Sequence, residues 1–104
     1  MTKTINTPEG EQTMLLGYEV IRFLAKPVQE DKTELDQIED AALIAFNCWN
    51  KRNDLPAISK DLMVAWFDDL DVYTDVINAV KSFMENFTQR VSEPSQTPAK
   101  GAKK

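Results

Sequence analysis

The chain has three glycines and five prolines, and four of the prolines fall in the first thirty residues or the last eleven. Long stretches are therefore free of the two residues that most readily break a helix, glycine through its backbone freedom and proline through its missing N–H. Within those stretches apolar residues recur every three or four positions, the spacing that gathers them on one face of a helix. No run alternates apolar and polar residues in the manner of a strand, and no internal repeat is present. The pattern predicts an all-α fold, a small four-helix domain with helices near residues 8–25, 34–51, 60–69 and 72–90.

The start of each helix has its own signal. Thr7 is a candidate N-cap with Pro8 at the first helical position, and Met14, Tyr18, Ile21 and Ala25 follow as a stripe. Gly17 inside that stripe reads as a place where another helix packs closely. Pro27 stops the helix. Thr33 and Asp36 form a variant of the capping box ahead of Leu35, Ile38, Ala42, Ala45, Phe46 and Trp49, the cleanest helical pattern in the chain. Asn53 suits a left-handed C-cap and Pro56 bars continuation. Ser59 caps a short helix with Leu62, Trp66 and Leu70 on one stripe. The last helix places Tyr73, Val76, Ile77, Val80, Met84, Phe87 and Val91 on one face.

At 104 residues the chain is one domain. Residues 1–91 form the helical domain. The remainder, "SEPSQTPAKGAKK" at 92–104, has no apolar side chain larger than alanine and reads as a disordered basic tail. Net charge is −5 overall; the tail, with Glu93 against Lys100, Lys103 and Lys104, carries +2, which leaves −7 on residues 1–91. Phosphate backbones repel such a surface, so a protein partner is expected and nucleic acid is not. No run approaches the roughly 20 apolar residues a membrane span needs, and the polar N-terminus has no apolar signal core. Cys48 is the single cysteine, which excludes an internal disulfide. A cytoplasmic protein is the expectation.

The stretch "MVAWFDDLDVYTDVI" sets four aspartates, Asp68, Asp69, Asp71 and Asp75, among large apolar residues. A calcium loop starting at Asp69 would need glycine where Thr74 stands and glutamate where Val80 stands. The better reading is a helix–helix turn in which Asp71 caps the last helix, so no metal site is expected. Glu34, Asp36, Glu39 and Asp40 read as a solvated acidic face. The chain contains no histidine, which removes the commonest general base and metal ligand. Cys48 then has no base to activate it, and no glycine-rich phosphate loop is present. No catalytic residue and no cofactor are expected, and the chain does not read as an enzyme.

The aromatic and methionine content is heavy for four short helices. Some apolar surface should therefore remain for a partner or for a second copy of the chain. Phe83 and Phe23 lie off the main stripes of their helices and are the expected exposed anchors. Trp66, with the acidic Asp68, Asp69, Glu39 and Asp40, completes the candidate partner-binding set.

From Ala41 to Val80 the chain resembles small helical phage tail assembly chaperones, through Trp49, the break at Leu55-Pro56, Trp66-Phe67, and Leu70 to Tyr73 leading into "VINAV". The tail adds to the likeness, since such chaperones often end in a flexible stretch where a ribosomal frameshift makes a longer form. The resemblance implies a non-catalytic helper in the host cytoplasm that keeps an apolar, helix-forming tape-measure protein soluble and recruits tail-tube subunits. The rival expectation is a small acidic inhibitor or immunity protein that blocks a basic protein surface through the faces around Glu34–Asp40 and Asp68–Asp75.

Overall fold

The computed structural model describes residues 1–27 and 30–92. From residue 93 onward the expected tail lies outside the described residues, as does the side chain of Val91. Two strands, β1 (Thr2–Thr7) and β2 (Gly10–Leu15), precede four helices: α1 (Tyr18–Leu24), α2 (Glu34–Arg52), α3 (Lys60–Trp66) and α4 (Leu70–Ser92). The all-α expectation is therefore overturned. The fold is mixed, with a two-stranded antiparallel sheet ahead of the helices.

The correction falls on residues 2–15, where the same residues serve a different purpose. Thr7 and Pro8, expected to open a helix, close a hairpin. Proline holds the φ that a turn needs at its second position, and Gly10 takes the left-handed φ of 100° that favours glycine. Thr7 Oγ1 accepts the Glu9 N–H at 3.1 Å and donates to the Gly10 carbonyl at 2.7 Å. Thr2, Thr4, Thr7 and Thr13 supply β-branched residues that favour extended backbone. The register pairs Thr2 with Leu15 and Thr7 with Gly10. Ile5, Met14 and Leu16 share the inner face and are buried, while Thr2, Thr4 and Asn6 face outward. Met14 thus belongs to a strand, and the first helix shrinks to seven residues. Gly17 precedes that helix, and nothing lies within 4 Å of where its Cβ would be, so it makes no close helix contact.

The other helices begin where their polar residues indicate. Thr33 Oγ1 accepts the Asp36 N–H at 3.1 Å and Asp36 accepts the Thr33 N–H at 3.0 Å, a complete capping box. Ser59 Oγ accepts the Leu62 N–H and caps α3. The four aspartates sit at the α3–α4 junction, but Asp69 is the residue that caps α4, accepting the Asp71 N–H at 3.0 Å. Asp71 lies two residues past the capping position, inside the first turn of α4. At the end of α2 the left-handed position is Asp54 (φ 59°), one residue beyond Asn53. The Leu55 N–H reaches back to the Asn50 carbonyl at 2.8 Å and the Asp54 N–H to Lys51, so the helix ends in a Schellman turn.

The core lies between the inner face of the hairpin and the helices: α2 packs on β2 and α1, and α4 packs on α2 and β1. Ala41, Ala42, Ala45 and Phe46 of α2 meet Met63 and Trp66 of α3 and Val72, Val76, Val80 and Phe83 of α4. Phe46 and Trp66 stack edge to face with centroids 5.6 Å apart. Asp40 ties three elements together, paired with Lys32 before α2 at 2.8 Å and with Lys60 at the start of α3.

Candidate functional site

Two of the expected partner-binding residues, the anchor Phe83 and Trp66, belong to the core. Phe83 is 9% exposed and Trp66 2%, and neither is available to a partner. The spacing of apolar residues places Phe83 at the flank of its helix. At 100° per residue it sits about 60° to one side of Val80 while Met84 sits about 40° to the other, so both fall within a buried stripe. Phe23 is half-buried and packs against the core from α1. Among the acidic residues, Asp68 and Asp69 are exposed, with Asp69 engaged as a cap. Burial works against the Asp40 carboxylate, but hydrogen bonds from Lys32 and Lys60 outweigh it and hold its pKa below the ordinary value. Asp40 is thus neutralised within the fold. Glu39 accepts from the Tyr73 hydroxyl at 3.5 Å, and burial followed by this carboxylate raises the Tyr73 pKa. The structure does not bring the seven expected residues into one patch.

It assembles instead a cleft of about 340 Å³ between the hairpin tip, the loop at 55–58 and α3. Glu9, Glu11 and Gln12 form one wall, and Leu55, Leu62 and Trp66 contribute to the other. Leu55 is 50% exposed and Leu62 37%, which leaves two leucines at the lips of a concave surface. The charged residues lining it are both glutamates. Trp66 Nε1 is buried with no hydrogen-bond partner among the described residues. An unpaired donor of this kind typically costs about 1–3 kcal/mol.

The loop wall is held by two asparagines one turn apart on α2. Asn47 receives the Ile58 N–H at 2.7 Å through Oδ1 and donates to the Ile58 carbonyl at 3.0 Å through Nδ2. Asn50, 4% exposed, donates to the Pro56 carbonyl at 3.0 Å. Sequence reasoning passed over this pair. The signal was present: polar residues three apart beside the apolar stripe, followed within ten residues by a proline loop whose backbone groups no helix could satisfy.

The hairpin wall is different in kind. The Leu16 N–H donates to the Met1 carbonyl at 2.8 Å, and the register pairs Lys3 with Met14 and Ile5 with Gln12 in phase with that bond. Antiparallel pairs alternate between bonded and non-bonded, so Glu11, Thr13 and Leu15 fall at non-bonded positions and turn their N–H and C=O groups away from β1. The Thr4 and Thr13 hydroxyls, 3.0 Å apart, mark one of these closer non-bonded pairs. Among the described residues the backbone groups of Glu11 and Thr13 have no partner.

The Cys48 thiol donates to Glu19 at 3.7 Å, and burial followed by that carboxylate pushes its pKa above the ordinary value, the reverse of what a nucleophile needs. Among the described residues no three histidine, cysteine, aspartate or glutamate side chains gather to hold a metal ion. No helix among the described residues is long and apolar enough to cross a membrane. Comparison with protein-family models, with curated proteins and with solved structures finds no match to this chain.

Proposed function

We propose that the chain is a non-enzymatic protein-binding module that holds an apolar segment of a client protein in the cleft between the hairpin and the 55–58 loop, acting in the cytoplasm. The single observation that supports this is the pair of exposed leucines, Leu55 and Leu62, set at the mouth of a concave surface with a rigidly tied wall. Water at such a mouth is displaced favourably by an apolar side chain, at about 25 cal/mol per Å² of apolar area covered. An assembly chaperone of the phage-tail kind, keeping an apolar, helix-forming client soluble until it is used, is the role this reading favours.

The test is suppression of aggregation. A fragment of an apolar tape-measure protein is heated with the chain at equal concentration and followed by light scattering. The wild type lowers the scattering, and the double variant Leu55→Ser with Leu62→Ser does not, although its helical circular dichroism is unchanged because both leucines are exposed. Equal scattering with and without the wild type overturns the proposal. The acidic-inhibitor reading draws on exposed Asp68, Asp69, Asp71 and Asp75. It predicts binding that 0.5 M salt abolishes and that the leucine substitutions leave intact, since exposed charges are screened within about 10 Å at 0.1 M.

A further inference from the structure

Glu11 and Gln12 are neighbours on a strand, so their side chains point to opposite faces of the hairpin. Both line the same cleft, and no residue of β1 does. A cleft touched from both faces of β2 and from neither side of β1 runs along the outer edge of β2. The open backbone groups of Glu11 and Thr13 therefore belong to the cleft or lie directly beyond it. Edges of this kind accept another strand, because main-chain N–H and C=O groups in water are ready to pair with any extended backbone that fits.

The pleat also determines what that backbone carries. Gln12 shares the inner face with Ile5 and Met14, while Glu11 is on the outer face with Thr13. An added strand would put alternate side chains against the inner-face surroundings of the cleft, where the exposed Leu55 and Leu62 await an apolar group. The intervening side chains would face outward beside Glu11, with Glu9 close at the turn. Two carboxylates and no cation among the charged lining residues select basic groups there.

We propose that the outer edge of β2 captures an extended client segment of alternating apolar and basic residues as a third strand, with its apolar side chains on Leu55 and Leu62 and its cations beside Glu9 and Glu11. The inference rests on the protein-binding reading and adds its mode. A segment held as a strand is withheld from helix formation and from its own aggregation for as long as it is bound.

The probe is the fluorescein-labelled heptapeptide Ser-Val-Lys-Leu-Lys-Val-Ser, capped at both ends, measured by fluorescence anisotropy against the wild type. It is compared with versions N-methylated singly at each of the five central residues, and with a version carrying glutamate for both lysines. Strand addition predicts a period of two: methylation weakens binding about tenfold at alternate residues, the worth of one lost hydrogen bond, and little at those between. The glutamate peptide binds at least tenfold more weakly at low salt. The amides of Glu11 and Thr13, fast to exchange in the free protein, become protected on binding. Affinity that ignores N-methylation but falls with Leu55→Ser and Leu62→Ser overturns strand addition and leaves the protein-binding reading standing. Absence of binding to every peptide also overturns strand addition; whether the broader reading falls with it is decided separately by the aggregation experiment.

Discussion

The two walls of the cleft are built on opposite plans. The loop at 55–58 is anchored by side-chain hydrogen bonds from Asn47 and Asn50 and by the Schellman turn that delivers it from α2. The Leu55 N–H, the Pro56 carbonyl and both backbone groups of Ile58 find their partners on α2. Among the described residues the hairpin is anchored on the helices by apolar contact, through Ile5, Met14 and Leu16 on its inner face, and the outward backbone groups of Glu11 and Thr13 are unpaired. One wall fixes position and the other offers bonding capacity. A binding cleft gains from having both, because a rigid wall lowers the ordering cost of capture while an open edge supplies the attraction.

The largest expected effect comes from removing what both walls rest on. Phe83 sits in the buried face of α4, which packs on β1 and α2. Phe83→Ala should destabilise the fold by about 3–5 kcal/mol, the usual loss for a buried phenylalanine. Urea unfolding measures it. Unchanged stability with weakened binding would return Phe83 to the surface role expected from its spacing, and the shared floor would be lost from the comparison.

Ile5→Ala separates the walls. It removes one of the three apolar anchors of the hairpin and should cost about 2–4 kcal/mol. Native-state hydrogen exchange should show the added opening concentrated in the β1–β2 amides, with α2 less affected. Equal acceleration throughout would mean that hairpin and helix open as one unit. Asn47→Ala is the counterpart on the other side: it leaves the Ile58 N–H and carbonyl without their partner, at a cost of about 1–3 kcal/mol. Its expected mark is loss of cleft binding greater than the loss of stability alone explains, because the wall bearing Leu55 drifts while the hairpin stays. Unaltered peptide affinity would show that the loop needs no such tether.

The same contrast explains what could be read from the residues. α2 declares itself locally: Thr33 and Asp36 cap it, alanines and large apolar residues follow at three and four, and Asn53 to Pro56 end it, so every local preference agrees with the final packing. Residues 2–15 do not declare themselves in this way. "TPEG" fits a helix start and a hairpin turn equally well, and Met14 continues a helical spacing into Tyr18. Only the pairing of Ile5 and Met14 onto α2 and α4 decides, and that contact joins parts of the chain far apart in sequence. The inner-face alternation Gln12, Met14, Leu16 was in the sequence, but it is short and carries one polar residue. The cleft was hidden for the same reason, since its walls come from residues 9–12 and 50–66, which only the fold brings together.

The end of α2 allows a smaller adjustment of the loop wall in the opposite direction. Asp54 holds φ at 59°, where a Cβ is unfavourable, although aspartate tolerates it better than most residues. Asp54→Gly should stabilise the fold by about 0.5–1 kcal/mol, the relief of left-handed strain partly offset by the greater freedom of glycine when unfolded. A shift of the urea midpoint upward checks it. A downward shift would mean that the Asp54 side chain contributes something the backbone geometry does not reveal.

The smallest effect is electrostatic and depends on pH. Asp40 joins the connector before α2 to α2 itself and to the start of α3, and its lysine partners are about two-fifths exposed, at 42% and 41%. Solvent screening limits such pairs to roughly 0–1 kcal/mol, so Asp40→Asn should cost no more than that at pH 7. The folded-state pKa of Asp40 lies below its unfolded value, because the two lysines outweigh its burial. A depressed carboxylate contributes its full stabilisation above the unfolded pKa of about 3.9 and loses it as pH falls through the folded value. The stability gap between wild type and Asp40→Asn should therefore be constant from pH 7 down to about pH 5, narrow through pH 4, and close at lower pH as the carboxylate takes up its proton. Denaturant melts at pH 7, 5, 4 and 3 follow it directly. A gap that persists undiminished at the acid end would mean that Asp40 acts through hydrogen bonding that survives protonation, and that the entry to α3 is tied by geometry in the same manner as the asparagine-held loop beside it.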